Sequence, residues 1–143
     1  MDEDKEKVYD FNQSCVIPFR INEGQLEILL ITSIRKKNWI VPKGYIEFNF
    51  SAFESAKKEA YEEAGVIGTN ETYELGSFEL QKKNGKSLIK IFSMEVTEEL
   101  KDYPEKNLRK RKWFNYDDAV EKITLSEVKP FFVKLKERLK RPN

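Results

Sequence analysis

Apolar positions along this chain come in two rhythms: short strand-like runs cut by turn residues, and longer stretches with helical spacing. Cys15 to Phe19 predicts a strand that ends near Pro18 to Arg20. Asn22-Glu23-Gly24 predicts a turn, and Leu26 to Ile31 (LEILLI) a second, buried strand, so the two form a hairpin. Trp39-Ile40-Val41 predicts a third short strand, stopped by Pro42 and Gly44. Ser51 then opens a helix, because its hydroxyl can cap the first turn and Glu54, three residues on, completes a capping box. Ala52, Phe53, Ala56 and Ala60 give that helix a small apolar stripe, and Gly65 is a good residue to end it.

Tyr73 to Gln81 and Ser87 to Val96 predict two strands joined at Asn84-Gly85. Tyr103-Pro104 breaks the chain, and Lys112 to Phe114 predicts one more short strand. Tyr116-Asp117-Asp118 can open a brief helix over Ala119 to Ile123. Glu127 to Leu139 predicts a final amphipathic helix with Val128, Phe131, Phe132, Leu135 and Leu139 on its apolar side, and Pro130 fits only its first turn. Strands, helix, strands and helix in that order suit an α/β or α+β sandwich.

At 143 residues, with 39% hydrophobic positions, the chain is long enough for one domain with a real core. The first ten residues are charged and are expected to fray. No apolar run approaches the ~18 residues of a membrane span, and the acidic start is unlike a signal peptide. One cysteine, Cys15, excludes an internal disulfide. A reducing compartment and a cytoplasmic location fit these features. The absence of histidine excludes Ser-His and Cys-His nucleophiles and imidazole metal ligands, which leaves carboxylates, lysines, tyrosines or a metal to do any chemistry.

The net charge of +1 hides an uneven spread. Residues 44–79 hold two lysines against eight glutamates, whereas residues 101–143 hold thirteen basic against seven acidic residues. The most concentrated acidity is Glu59, Glu62 and Glu63, three carboxylates just before Gly65. Helical spacing puts positions i, i+3 and i+4 on one face, where like charges repel. A hard divalent cation turns that repulsion into attraction. Taken alone, such a triplet is more often a solvated helix face. The basic run Arg109 to Lys112 lacks interleaved aromatics or a groove-reading helix, which argues against nucleic acid.

The segment from Gly44 to Val66 changes that balance, because it resembles the Nudix box of the Nudix hydrolase superfamily. Gly44, Glu59, Ala60, Glu62, Glu63, Gly65 and Val66 match the box at its spacing. Two positions depart: Phe50 stands where the box has its first glutamate, and Lys58 where it has arginine. The resemblance implies an α/β/α sandwich with a mixed central β-sheet. It also implies a Mg²⁺ or Mn²⁺ cofactor held by Glu59, Glu62 and Glu63 with the carbonyl of Lys43, the same glutamates being catalytic. Gly44, Lys58 and Gly65 then shape the box.

Trp39 to Gly44 and Glu105 to Val120 are similar to the diadenosine and diphosphoinositol polyphosphate phosphohydrolases. That likeness implies a small-molecule polyphosphate substrate, no membrane, and phosphate contacts from Ser33, Arg35, Lys86 and Lys129. Phe11-Asn12-Gln13 replaces basic residues that the diphosphoinositol enzymes carry, which favours nucleoside polyphosphates. Two other readings stand beside the hydrolase. Phe50 and Lys58 suit a non-catalytic module that binds a phosphorylated ligand, and a house-cleaning nucleoside triphosphate pyrophosphatase shares the box. Trp39, Trp113 and Tyr45 are read as packing residues.

Overall fold

A computed structural model describes residues 11–70, 73–83 and 85–140. The segment 1–10 and Asn84 of the expected hairpin turn lie outside the described residues. Eight strands form one sheet: β1 (Phe11–Asn22), β2 (Gln25–Thr32), β3 (Trp39–Ile40), β4 (Lys43–Tyr45), β5 (Val66–Gly68), β6 (Tyr73–Lys82), β7 (Gly85–Glu99) and β8 (Arg111–Asn115). The helices are α1 (Ala52–Glu59), α2 (Tyr116–Lys122) and α3 (Lys129–Lys140).

The sheet is mixed and mostly antiparallel. β1 runs parallel to β7, and every other pairing is antiparallel. Alternation along the inner strands feeds two cores. Cys15, Ile17 and Phe19 of β1 join Ile28, Leu30, Ile89 and Ile91 on one face, under Ala119, Ile123, Phe132 and Leu135 from α2, α3 and the link between them. Val16, Leu29, Ile31, Phe92 and Met94 face the other way, under Phe53, Ala56, Ala60 and Ala64. Both faces of the inner strands are covered, which is why LEILLI reads as an unbroken apolar run. The α/β/α sandwich expected from the sequence is the fold observed.

Several boundaries differ from the sequence reading. β1 does not stop near Pro18 but continues to Asn22. On one edge, β1 pairs with β4 through Cys15 and with β2 from Phe19 onward. The Val16 N–H donates to the Pro42 carbonyl (3.2 Å), and Pro18, two residues on, points its nitrogen to that same edge. Its missing N–H falls in the gap between the two partners, where no ladder bond is lost.

Pro42 and Gly44 do not end the pairing either, since Lys43–Tyr45 adds β4 against Gln13 to Cys15. β5 was not anticipated; its three residues pair with the far end of β7, which itself extends to Glu99. Leu139, expected on the apolar side of the last helix, is 41% exposed.

The Ser51–Glu54 capping box is present in both directions. The helix keeps its expected end at Gly65, but its last turn, Ala60–Ala64, widens to a π-helical turn. Gly65 sits in the left-handed region (φ 68°), and a Cβ there would run into the Tyr103 ring. That ring also lies 4.8 Å from the Arg111 guanidinium, which donates to the carbonyls of Ala64 (2.8 Å) and Leu100 (2.7 Å). Gly65→Ala therefore combines a left-handed penalty of ~1–2 kcal/mol with overpacking of ~1–3 kcal/mol. We expect a loss of about 2–5 kcal/mol in urea denaturation, well above the ordinary surface Gly→Ala change.

Candidate active site

The site is built where the end of α1 meets β4. A Cβ on Gly44 would collide with the Glu59 carboxyl, so the bare backbone of Gly44 lets that group lie flat against β4. Glu63 follows one turn later, is 8% exposed, and accepts a hydrogen bond from the Lys43 N–H (3.3 Å). The Glu59 and Glu63 carboxyl groups are hydrogen-bonded to each other. Arg109 approaches Glu63 from the other side (Nη2 to Oε2, 3.7 Å). Its remaining nitrogens hold Glu105 (2.8 Å) and the Thr32 carbonyl (3.2 Å).

The widened turn changes which glutamates share a face. An α-helix places i+3 and i+4 on either side of i, whereas a turn of on the order of 4.4 residues stacks i+4 over i and swings i+3 away. Glu63 stays with Glu59, and Glu62 turns to Lys58, whose ammonium lies 3.0 Å from its Oε2. Lys58 also reaches Glu47 (2.8 Å). The hydrogen bonds to Glu47 and Glu62 push the lysine further into its charged form. Among the described residues, no group of three or more carboxylate or thiol side chains is gathered as a ligand set. The site is a pair, with a third glutamate held alongside by a lysine.

Burial pushes the Glu63 carboxyl above the usual carboxylate range; its hydrogen bond with Glu59 and that group's charge push the same way, against Arg109 and the Lys43 N–H. Burial also raises Glu59, helped by the charges of Glu62 and Glu105 and opposed by its hydrogen bond to Glu63. Glu63 is buried and Glu59 half-buried, and two such acids side by side cannot both ionise cheaply, so each holds a proton more tightly than a free carboxyl does. A pair that needs a proton to offset its charge is the donor set a hard divalent cation takes over, so these residues fit such an ion.

The other expected contacts divide. Ser33 closes the loop after β2: its Oγ accepts from the Asn38 N–H (3.0 Å) and its own N–H donates to the Asn38 carbonyl (2.7 Å). That loop, which carries exposed Arg35, starts beside Thr32 and so beside Arg109. Lys129 begins α3, next to Val128, which lines a small apolar cavity with Ile40, Val41 and Lys43. Lys86 instead sits on the β6–β7 hairpin, in an exposed pair with Glu79 (3.8 Å). The contact seen at Lys43 is through its N–H rather than its carbonyl.

Sequence reading missed Arg109, Glu105 and Glu47 as members of the site. Arg109 stood in a basic run in which Lys110 and Lys112 face solvent, and Glu47 stood three residues short of the position where the box pattern seeks an acid. Trp39 packs as expected, edge-on to Phe114 at 5.0 Å. Trp113 is half-buried on the opposite face, beneath the Arg20 guanidinium.

A paired-carboxylate site on a loop–helix–loop, beside a mixed sheet between helices, defines the class of fold and site. Residues 12–135 match the family model of the NUDIX domain, and the chain belongs to that family. It is 35% identical over 106 residues to a protein named Nudix hydrolase 12, mitochondrial, of Arabidopsis thaliana, covering 68% of this chain and 52% of that one. It is 37% identical over 122 residues to diphosphoinositol polyphosphate phosphohydrolase 2 of Rattus norvegicus, covering 83% of this chain and 65% of that one. The chain thus spans only about half to two thirds of these relatives. A solved Ap4A hydrolase of C. elegans shares the fold at a TM-score of 0.70 and 18% identity, covering 89% of this chain and 96% of that one. The NUDIX domain of Shewanella oneidensis NrtR, solved with ADP ribose, does so at 0.73 and 16%, covering 97% and 99%.

The raised proton affinity of Glu59 and Glu63 has a consequence for stability. Both carboxyls bind protons more tightly folded than unfolded, so their contribution is full below the unfolded value near 4.5 and is lost as pH rises through the folded values. In EDTA, stability measured by urea denaturation should fall from pH 5 towards pH 8. Glu63→Gln should flatten that slope.

Proposed function

We propose that this chain is a divalent-metal-dependent hydrolase of phosphoric anhydrides. The observation that carries the reading is the Glu59–Glu63 carboxyl pair pressed against Gly44. Glu59 and Glu63 would hold Mg²⁺ or Mn²⁺, with Glu62 and the Lys43 carbonyl as further oxygens. When bound, the ion neutralises phosphate charge and acidifies water. The residues of the chain do the rest. One of these glutamates, or a glutamate on a downstream loop, would accept or orient the proton of the attacking water. Glu62, paired with the Lys58 ammonium, and Glu105, whose charge reaches Glu59, complete the acidic wall. Arg109 fixes Glu63 and Glu105 in one orientation.

The substrate is read as a dinucleoside polyphosphate or a diphosphoinositol polyphosphate, taken up at the loop carrying Ser33 and Arg35 and by Lys129, with Lys86 further out. The names of the rat relative and of the nematode structural neighbour support that class. A single domain in a reducing, cytoplasmic setting is part of this reading, and Cys15 lies buried and free. A binding module is the second reading, favoured by Lys58, which pairs with Glu47 rather than with an acid at position 50.

Diadenosine tetraphosphate and an inositol pyrophosphate, each with Mg²⁺ and with EDTA, separate the readings. Metal-dependent release of products supports the hydrolase; saturable binding without turnover supports the module. Release of pyrophosphate and a monophosphate from a nucleoside triphosphate points to the house-cleaning activity. Glu63→Gln should lower Mg²⁺-dependent turnover by at least roughly 100-fold, given what a ligating charge contributes at such a centre.

A further inference from the structure

Phe50 leaves the box without its first acid, yet Lys58 does not stand without a second carboxylate. We infer that Glu47 is a positioning residue of the site, acting through Lys58 to set the orientation of Glu62. The inference rests on the hydrolase reading above and deepens it.

The turn from Glu47 to Phe50 is folded so as to make this contact. The Glu47 N–H donates to the hydroxyl of buried Ser55 (3.0 Å), and its carbonyl accepts from the Phe50 N–H (3.0 Å). Asn49, a residue tolerant of positive φ, takes φ 72° between them. The Glu47 backbone is thereby tied to the first turns of α1, and its carboxylate comes down on Lys58 one turn further along. A lysine suits this geometry better than arginine's flat fork, because three donors on one nitrogen can serve two separate carboxylates.

The side chains of Lys58, Glu47 and Glu62 are 37%, 41% and 29% exposed, so their pairs add little to stability. What the bridge does is electrostatic. An ammonium on Glu62 alone cancels its charge and competes with a cation. Shared with Glu47, the same ammonium steadies Glu62 while the trio keeps one net negative charge.

The test is a double-mutant cycle of Glu47→Gln and Lys58→Gln, with Lys58→Arg as the conservative variant. It is read as kcat and KM for diadenosine tetraphosphate, as the Mn²⁺ dissociation constant by calorimetry, and as melting temperature. Each single variant should lose about 10-fold in kcat with KM unchanged, and Glu47→Gln, which leaves the ammonium on Glu62 alone, should bind Mn²⁺ more weakly. The double variant should be no worse than the weaker single. Lys58→Arg should stay within about 3-fold of wild type, and melting temperatures should hold within about 2 °C, as befits exposed pairs. Wild-type kcat and Mn²⁺ affinity in Glu47→Gln, or losses that multiply in the double variant, would overturn the positioning role while leaving the hydrolase standing. A wild-type chain that neither turns over nor binds Mn²⁺ would overturn both.

Discussion

Two acids in contact inside a protein are an electrostatic burden, and much of the local structure around Glu59 and Glu63 follows from carrying it. The pair needs room, which Gly44 gives by having no side chain. It needs the third acid kept apart, which the π-helical turn provides by swinging Glu62 away to Lys58 while Glu63 stays beside Glu59. It needs donors, which the Lys43 N–H and Arg109 supply to Glu63. Each comes from a different part of the chain: β4, the end of α1, and the loop before β8. The sheet is what brings them together, since β1 holds β4 on one edge and β7 on the other while β2 holds β8.

The two cores divide the labour. The alanines at 56, 60 and 64 let the helix carrying the glutamates lie close on Val16, Leu29 and Ile31 of the inner strands. The other face is filled by larger side chains from α2, α3 and the segment before them, and these form the back of the β3–β4 region. One helix therefore presents charge at its end, and the opposite layer packs behind the strand beneath it.

Much of this was legible in the residues. The capping box at Ser51 and Glu54, the apolar run LEILLI and the stop at Gly65 are local signals, and all appear where local chemistry puts them. What the sequence concealed depends on partners distant in the chain. β4 and β5 are three residues each, too short for any periodicity, and exist because β1 and β7 have an edge to offer. The π turn changes the grouping of Glu59, Glu62 and Glu63, and nothing in EAYEEAG distinguishes it from an ordinary turn. Arg109 could not be told from its basic neighbours because its distinction is burial against Glu63. Glu47 was hidden by a pattern that looks for its acid at position 50.

Pro18 also constrains the register of β1. Shifting β1 by one residue against its neighbours would bring an imino nitrogen opposite a carbonyl that requires a donor, and would send Cys15, Ile17 and Phe19 into the wrong layer. The ring thus works as a key in a lock: only one sliding position of the central strand is free of penalty. Because Ser14 and Gly44 face each other in that same strand alignment, the key that guards the sheet also fixes how far along the strand the acidic pair comes to rest.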